Sequence, residues 1–226
     1  MLLKPIDIGW TARQLDTIGD IATAAGNGSS GFYGDGGPAS SALLSSPDDI
    51  SIDLSGNIYI AEYSNHVIRL VTKSTGIIST VAGTPQIGGY SGDGGLAMTA
   101  KLNSPTGVAV DVSGNIYIAD TGNRIIRMVT KNTGIISTVA GTPNKYGSSG
   151  DGGPALSALL NNPCKVVATN GGTFYIADSD GNTIRTFTIK PSSATSSATP
   201  GGRHLAFYIL YSSVWWTLVL VIFVIW

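Results

Sequence analysis

The stretch SGNIYIAE at residues 55–62 decides the fold, because the chain repeats it as SGNIYIAD at 113–120 and as GGTFYIAD at 171–178. Each copy follows the previous one by 58 residues. A second motif, GDGGPA or GDGGLA, keeps the same step at residues 34–39, 92–97 and 150–155. Repetition at this period over most of residues 19–189 indicates a tandem array of supersecondary units.

Each unit contains four short segments with the alternation of β-strands. In the second unit these are GVAVD (107–111), IYIAD (116–120), RIIRMVT (124–130) and IISTVAG (135–141). The turns SGN, TGN and KNTG separate them. Four strands joined by tight turns and repeated in tandem are typical of β-propeller blades. We therefore expect an all-β fold of four-stranded blades.

The number of blades comes from counting strands. The third unit supplies three strands, at 165–169, 174–178 and 183–189, and GDIATAAG at 19–26 matches the missing fourth. The total is about three blades, whereas propellers usually have four to eight. Either two copies pair as a homodimer that completes a six-bladed ring, or the chain is a fragment of a longer propeller. The irregular ends of the chain favour the fragment.

Three regions follow from the composition along the chain. Residues 1–190 hold the blades, 191–204 form a Ser/Ala/Thr/Pro/Gly linker, and 205–226 are 22 residues without a charge. As a helix this last region is about 33 Å long, enough for a hydrocarbon core of about 30 Å. It predicts a single-pass C-terminal transmembrane helix. Because the flanking charges Arg203 and Lys190 lie on the blade side, they favour a cytoplasmic propeller. A removable lipid-anchor signal and translated non-coding sequence are the alternatives.

Composition limits the classes of partner. The chain has 13 Lys and Arg against 14 Asp and Glu, so its charge argues against nucleic acid as a partner. The 30 glycines suit a fold with many tight turns. Cys164 is the only cysteine, so no intrachain disulfide forms. No signal peptide is visible at the start of the chain, where Lys4, Pro5 and Asp7 interrupt any apolar core.

The corner between the second and third strands resembles the NHL repeat, which is named for an Asn-His-Leu triplet. It reads EYSNHVIRLV at 62–71, DTGNRIIRMV at 120–129 and DSDGNTIRTF at 178–187. The segments NSPTGVAVDVSGNIYIADTGN (103–123) and GYSGDGGLA (89–97) are similar to the family's pattern as well. The third unit departs most from it.

This resemblance implies a propeller, usually of six blades, that serves as an interaction platform. Members of the family include cytosolic ligase subunits, RNA-binding regulators, sensor domains of membrane kinases and large cell-surface adhesion proteins. Relatives in the wider six-bladed group include metal-dependent lyases and lactone hydrolases. The fold alone does not choose among these functions.

Two sets of charged residues recur at fixed stations of the repeat. Acids end the second strand and arginines lie on the third: Glu62, Asp120 and Asp178, with Arg69, Arg127 and Arg185. They form either a ring of charge around a central channel or structural ion pairs within or between blades. The structural interpretation is favoured, because a binding site normally breaks the symmetry of a repeat.

The aspartates of the GDGG loops, Asp35, Asp93 and Asp151, suggest calcium ligands. No glutamate closes these loops at a suitable distance, as calcium sites commonly require. Turn chemistry, with aspartate capping nearby backbone N–H groups, is favoured instead. No metal, cofactor or catalytic residue is therefore assigned.

The sequence as a whole predicts a non-enzymatic NHL-type propeller that binds a protein partner of unknown identity and is tethered to a membrane by residues 205–226. The alternative is a metal-dependent lyase or lactone hydrolase on the same scaffold. Its histidine-rich version needs several converging histidines. Residues 1–190 contain one, His66.

Overall fold

A computed structural model describes residues 22–189 of the chain, where eleven strands form three antiparallel sheets. Blade one consists of β1 (Pro47–Ile52), β2 (Ile58–Glu62), β3 (Val67–Thr72) and β4 (Ile77–Ala82). Blade two consists of β5 (Gly107–Val110), β6 (Ile116–Asp120), β7 (Ile125–Val129) and β8 (Ile136–Ala140). Blade three consists of β9 (Pro163–Ala168), β10 (Thr173–Asp178) and β11 (Thr183–Thr188). The prediction of an all-β fold of propeller blades is confirmed.

Within each blade, neighbouring strands in the sequence are neighbours in the sheet. The β1–β2 and β3–β4 turns therefore lie at one end of blade one, which we call the turn face. The β2–β3 corner lies at the opposite end, the corner face. On the turn face Asp53 accepts hydrogen bonds from the backbone N–H groups of Ser55 and Asn57, both at 2.9 Å. This Asx-type turn explains why the SGN motif follows an aspartate.

The inserts that carry the GDGG motif connect one blade to the next. Each contains one short 3₁₀ turn, at Ala39–Ser41, Ala97–Thr99 and Ala155–Ser157. The alanines of the first two turns, Ala39 and Ala97, are buried against their blades. Each GDGG motif therefore ends on the alanine that begins a 3₁₀ turn.

Blades pack against each other through apolar side chains on alternate positions of the strands. Tyr117 of blade two meets Phe174 of blade three with ring centroids 4.3 Å apart. The first strands approach so closely that a Cβ on Gly107 would lie 2.7 Å from the carbonyl oxygen of Cys164. A glycine is therefore required where β5 meets β9. Two hydrophobic clusters lie between blades, one between blades one and two and one between blades two and three, and a third packs blade one against its preceding insert.

The predicted fourth strand of blade three, at 19–26, lies partly outside the described residues. Of this segment, residues 22–26 are described and form no strand. Among residues 22–189, β10 is the only strand paired with β11, so the opposite edge of β11 is free. The linker and the predicted transmembrane helix at 205–226 fall outside the described range. Within that range no helix has the length and apolar character needed to cross a membrane.

Candidate functional site

The acidic residue at the end of β6 organises the corner of blade two. Asp120 is fully buried and its Oδ1 accepts a hydrogen bond from the backbone N–H of Asn103 at 2.7 Å. Its Oδ2 accepts a second one from Asn123 Nδ2 at 2.8 Å. Arg127 Nη1 of β7 lies 3.7 Å from the same Oδ2. The carboxylate thus connects β6, β7 and the segment that leads into β5.

The same arginine also fastens the insert to the blade. Arg127 donates to Asp93 Oδ1 from Nε at 3.1 Å and from Nη2 at 2.6 Å. It donates further to the backbone carbonyls of Lys101 at 2.9 Å and Ser91 at 3.0 Å. The ring of Tyr90 covers the guanidinium at 5.3 Å. A planar group with five donors suits this arrangement, in which one side chain binds several acceptors at once.

We call this set of an acid, an asparagine, an arginine and the GDGG aspartate the corner network. Blade one repeats it with Glu62, Asn65, Arg69 and Asp35. Arg69 lies 3.1 Å from Glu62 Oε1 and 2.6 Å from Asp35 Oδ1. Asn65 Nδ2 donates to Glu62 Oε2 at 2.5 Å and to the carbonyl of Gly31 at 2.8 Å. The sequence motifs that define the repeat therefore meet in one buried cluster.

All six charged residues singled out from the sequence lie in these corner networks. They are Glu62, Asp120, Asp178, Arg69, Arg127 and Arg185, and all are buried. The acids end the second strands and the arginines lie on the third strands, and both sets make their hydrogen bonds and ion pairs inside the corner networks. Their charges therefore face partners within the corner rather than an open channel.

The GDGG aspartates pair with arginines of their own blades. Asp35, Asp93 and Asp151 lie 2.6–2.7 Å from the arginines of their blades. Across residues 22–189 no group of three or more His, Cys, Asp or Glu side chains is placed to hold a metal. A calcium ion at these loops would lie beside a guanidinium, which disfavours it. The arginine contact had no local signal in the sequence.

The residue that follows Asn65 or Asn123 contacts the segment that enters the next blade, a role that the sequence did not reveal. His66 Nδ1 accepts a hydrogen bond from the backbone N–H of Ser104 at 2.9 Å. At the same station Arg124 donates to the carbonyl of Asn161. Both residues adopt left-handed backbone conformations, with φ of 58° and 63°. Burial lowers the pKa of His66, which favours the neutral form that accepts this bond.

Burial dominates the electrostatics of the acids that end β2 and β6. It raises the pKa of Asp120 to about 7, and hydrogen bonds from Asn103 and Asn123 oppose the rise only in part. Burial raises the pKa of Glu62 in the same way. For Asp93, burial also opposes ionisation, but hydrogen bonds with Thr138 and Arg127 outweigh it and lower the pKa. Arg127 is thus paired with an ionised Asp93 in the insert.

Blade three has an incomplete corner network. Gly181 stands where Asn65 and Asn123 stand in the other blades, so the side-chain amide is missing. Asp178 Oδ1 still accepts from the backbone N–H groups of Asn161 and Asn162, at 2.8 and 2.7 Å. Its Oδ2 is buried without a hydrogen-bond partner, and Arg185 Nη1 is 4.0 Å away. An unsatisfied buried carboxylate oxygen costs about 1–3 kcal/mol or more.

The same corner also lacks its aromatic cover. Ser148 occupies the station of Phe32 and Tyr90, whose rings cover Arg69 and Arg127. Asp151, the insert partner of Arg185, has a side chain 82% exposed, compared with 38% and 31% for its two counterparts. Blade three therefore exposes the insert side of its corner, at Asp151, where the other blades are more closed, while Asp178 Oδ2 stays buried.

The repeated blades and their corner networks define the class of protein as a β-propeller of NHL-type repeats. A family model for the Teneurin NHL domain matches residues 84–148. Teneurin-4 of Homo sapiens is 37% identical over 108 residues, which cover 43% of this chain and 4% of that protein. NHL repeat-containing protein 2 of Bos taurus is 35% identical over 132 residues, covering 56% of this chain and 17% of that protein. Over these segments the chain is similar to NHL-repeat proteins.

A solved structure shows the same fold. The crystal structure of a protein of unknown function from Bacteroides thetaiotaomicron VPI-5482 superposes with a TM-score of 0.54 at 25% identity. The match covers 59% of this chain and 32% of that one. The chain spans only a small part of Teneurin-4 and of NHL repeat-containing protein 2, so the comparison concerns a propeller segment and not a whole protein.

Proposed function

We propose that this chain is a non-enzymatic protein-interaction module that binds its partner at the open corner of blade three. The partner contributes an N–H donor, either a primary amide or an ammonium group, on a loop. That donor takes the place of the asparagine side chain which blades one and two supply themselves. Relatives that are NHL-repeat proteins support a binding module as the coarse assignment.

One observation carries the proposal: Asp178 Oδ2 is buried without a partner at the one corner where the repeat is broken. In blades one and two the asparagine Nδ2 donates both to the acid and to the carbonyl of Gly31 or Gly89. Gly147 holds the equivalent station in blade three. An entering N–H donor thus finds the acceptor set that an asparagine uses elsewhere in the same chain.

The substitution Gly181→Asn tests the proposal, because it supplies the missing amide from within the chain. Gly181 has no left-handed backbone angle, and a Cβ there would lie 2.9 Å from Asp178 Oδ2 and from Ser148 Oγ, so these two side chains must shift slightly to admit it. We expect the added amide to stabilise the fold by about 1 kcal/mol. For a chain of this size the melting temperature should then rise by about 2–4 °C. The same variant should lose binding.

Binding is measured with loop-constrained peptides selected from a random display library against the full chain in detergent. Selected peptides should depend on an Asn, Gln or Lys, and changing that residue to Leu should weaken binding at least about tenfold. Gly181→Asn should weaken binding equally. Ser113→Asn, which adds the same side chain on the turn face, should leave it unchanged. Peptides that bind Gly181→Asn as tightly as the original chain would contradict the proposed site.

We propose also that residues 205–226 tether the module to a membrane. The support is the uncharged 22-residue sequence, which lies outside the described residues. A tagged full-length chain expressed in cells should stay in the pellet after a carbonate wash. A variant with Val214→Arg and Leu218→Arg should move to the supernatant, since each charge near the middle of a span costs about 2.5–3.5 kcal/mol. Release of the original chain by the wash would contradict the tether.

A further inference from the structure

We infer that the turn face of blades one and two rests on the surface of an anionic lipid bilayer. The inference builds on the membrane tether proposed above, and it adds the surface with which the propeller contacts the lipid. Its contact residues lie in the turns β1–β2 and β3–β4 of blade one and in the equivalent turns β5–β6 and β7–β8 of blade two.

Two apolar side chains project from these turns. Leu54 of the β1–β2 turn is 85% exposed, and Val112, its counterpart in the β5–β6 turn, is 53% exposed. Neither residue belongs to a hydrophobic cluster of the fold. Single exposed apolar residues are common on protein surfaces. These two, however, occupy the same station of adjacent blades, so their exposure is a repeated feature that the packing of the fold does not use.

A third apolar side chain extends this surface on blade two. Leu96 of the insert is 56% exposed. Its Cδ2 lies 3.8 Å from the position that a Cβ on Gly134 would take, and Gly134 belongs to the β7–β8 turn. The apolar surface thus continues from the β5–β6 turn of blade two to its outer side.

Each apolar tip has an exposed lysine in the neighbouring turn. Lys73 lies in the β3–β4 turn and Lys131 in the β7–β8 turn. Their side chains lie across the glycines of the adjacent turns, because a Cβ on Gly56 or Gly114 would lie 2.6 or 2.5 Å from the lysine Cδ. Within residues 22–189 neither lysine makes an ion pair. Such side chains cover apolar surface with their stems and keep the ammonium group outermost.

The acids of the same turns are directed inward. Asp53 and Asp111 accept hydrogen bonds from backbone N–H groups of their own turns. They accept further bonds from the hydroxyl groups of Tyr59 and Tyr117, at 3.4 and 3.1 Å. Both aspartates are half-buried, whereas both lysines are exposed. The outermost charge of the turn face is therefore positive, which complements the headgroups of anionic lipids.

The course of the chain also favours lipid as the occupant. Ile189, the last described residue, donates its N–H to Gly172 of the β9–β10 turn at 3.4 Å, so the chain leaves the blades on the turn face. The segment proposed as the tether follows after residues 190–204. A few apolar tips and lysines bind a bilayer only weakly by themselves. A tether raises their effective concentration at the lipid surface and makes this weak contact sufficient.

A fluorescent label on the turn face tests the inference. The full chain with Cys164→Ser and Val112→Cys is labelled with an environment-sensitive fluorophore and reconstituted into vesicles of phosphatidylcholine and phosphatidylserine. Lipids that carry a spin label near the headgroup should quench this fluorophore. A label at Tyr63→Cys should remain unquenched, since Tyr63 is 44% exposed and lies on the opposite, corner face. Retention of the chain after a carbonate wash of the same vesicles measures the tether separately.

Reversing the two charges tests the role of the lysines. Each lysine near an anionic surface contributes about fivefold to affinity. Lys73→Glu together with Lys131→Glu should therefore lower the equilibrium constant for contact on the order of 25-fold or more, with a matching loss of quenching. Lys101→Glu together with Lys145→Glu is the matched control, because it changes the net charge equally at exposed residues of the inserts. It should leave the quenching unchanged.

The outcomes separate the contact from the tether. A chain that stays with the vesicles without quenching at Val112→Cys, or with equal quenching at both labelled positions, would overturn the lipid contact and leave the tether standing. A blue shift of the fluorophore without quenching by the lipids would indicate a protein contact and would also overturn it. Release of the chain by the wash would overturn the tether and the contact together.

Discussion

Replacing Arg127 with methionine is expected to destabilise the protein by about 3–5 kcal/mol, the usual cost of removing one partner from a buried ion pair. Methionine keeps an unbranched side chain but no charge. Loss of the guanidinium leaves Asp93 and Asp120 without a cation. It also leaves the carbonyls of Ser91 and Lys101 without a donor. Urea unfolding of the full chain in detergent, followed by far-UV circular dichroism, measures the effect.

Two variants separate this effect from the loss of a positive charge. Lys131→Met removes an exposed charge and should change stability by no more than about 0.5 kcal/mol. Arg185→Met should cost about half as much as Arg127→Met, since Asp151 is largely exposed and Asp178 lies 4.0 Å away. Equal losses in Arg127→Met and Lys131→Met would show that the corner network does not hold the blade together.

Hydrogen exchange gives a local test of the same prediction. Gly94 of the insert donates its N–H to Ile136 of β8 at 2.8 Å. If Arg127 holds the insert on the blade, its loss should speed exchange at Gly94 more than at residues of β5 and β6. Uniform acceleration would instead indicate a change in global stability alone.

The sequence predicted the sheets because their signals are local and repeated. Period-two alternation and short turn motifs placed the strands of blade two to within one or two residues of β5–β8. The Asp111 turn shows why this works: its carboxylate binds Ser113 and Asn115, two and four residues ahead. All the partners of such a turn lie within a few residues of sequence.

The corner network was harder to predict because its partners are distant in sequence. Asp93 binds Arg127, which is 34 residues away, and caps the backbone N–H of Thr138, 45 residues away. Adjacent glycines made local turn chemistry the natural interpretation of this aspartate. Only the packing of the insert on the blade brings it to the third strand, and no spacing within the motif indicates that contact.

Blade three shows a different limit. The change from asparagine to Gly181 is visible in the repeat alignment, as is the change from an aromatic residue to Ser148. Sequence alone does not show that both positions face the same buried carboxylate. The structure brings both positions together at the buried carboxylate of Asp178.

Asp120→Asn is expected to remove part of the pH dependence of stability. Burial raises the pKa of Asp120 from 3.8 to about 7 in the folded chain, so the folded state holds this proton more tightly than the unfolded state. Its contribution to stability is therefore fully present below about pH 4 and is lost as the pH rises through 7. Linkage predicts a loss of about 2 kcal/mol between pH 5 and pH 8 from this one group.

Urea unfolding at pH 5 and pH 8 measures this loss in the original chain and in the variant. Burial lowers the pKa of His66, so protonation of His66 disfavours folding. The contribution of His66 to the free energy of unfolding therefore rises with pH in the same window. Burial raises the pKa of Glu62, which acts in the same direction as Asp120. Both groups are present in both proteins and cancel in the difference. Asparagine keeps the acceptor for the Asn103 N–H but cannot ionise, so the variant should lose about 2 kcal/mol less than the original chain. The same change with pH in both proteins would show that Asp120 is already ionised throughout this range, and that Arg127 and the corner hydrogen bonds compensate fully for its burial.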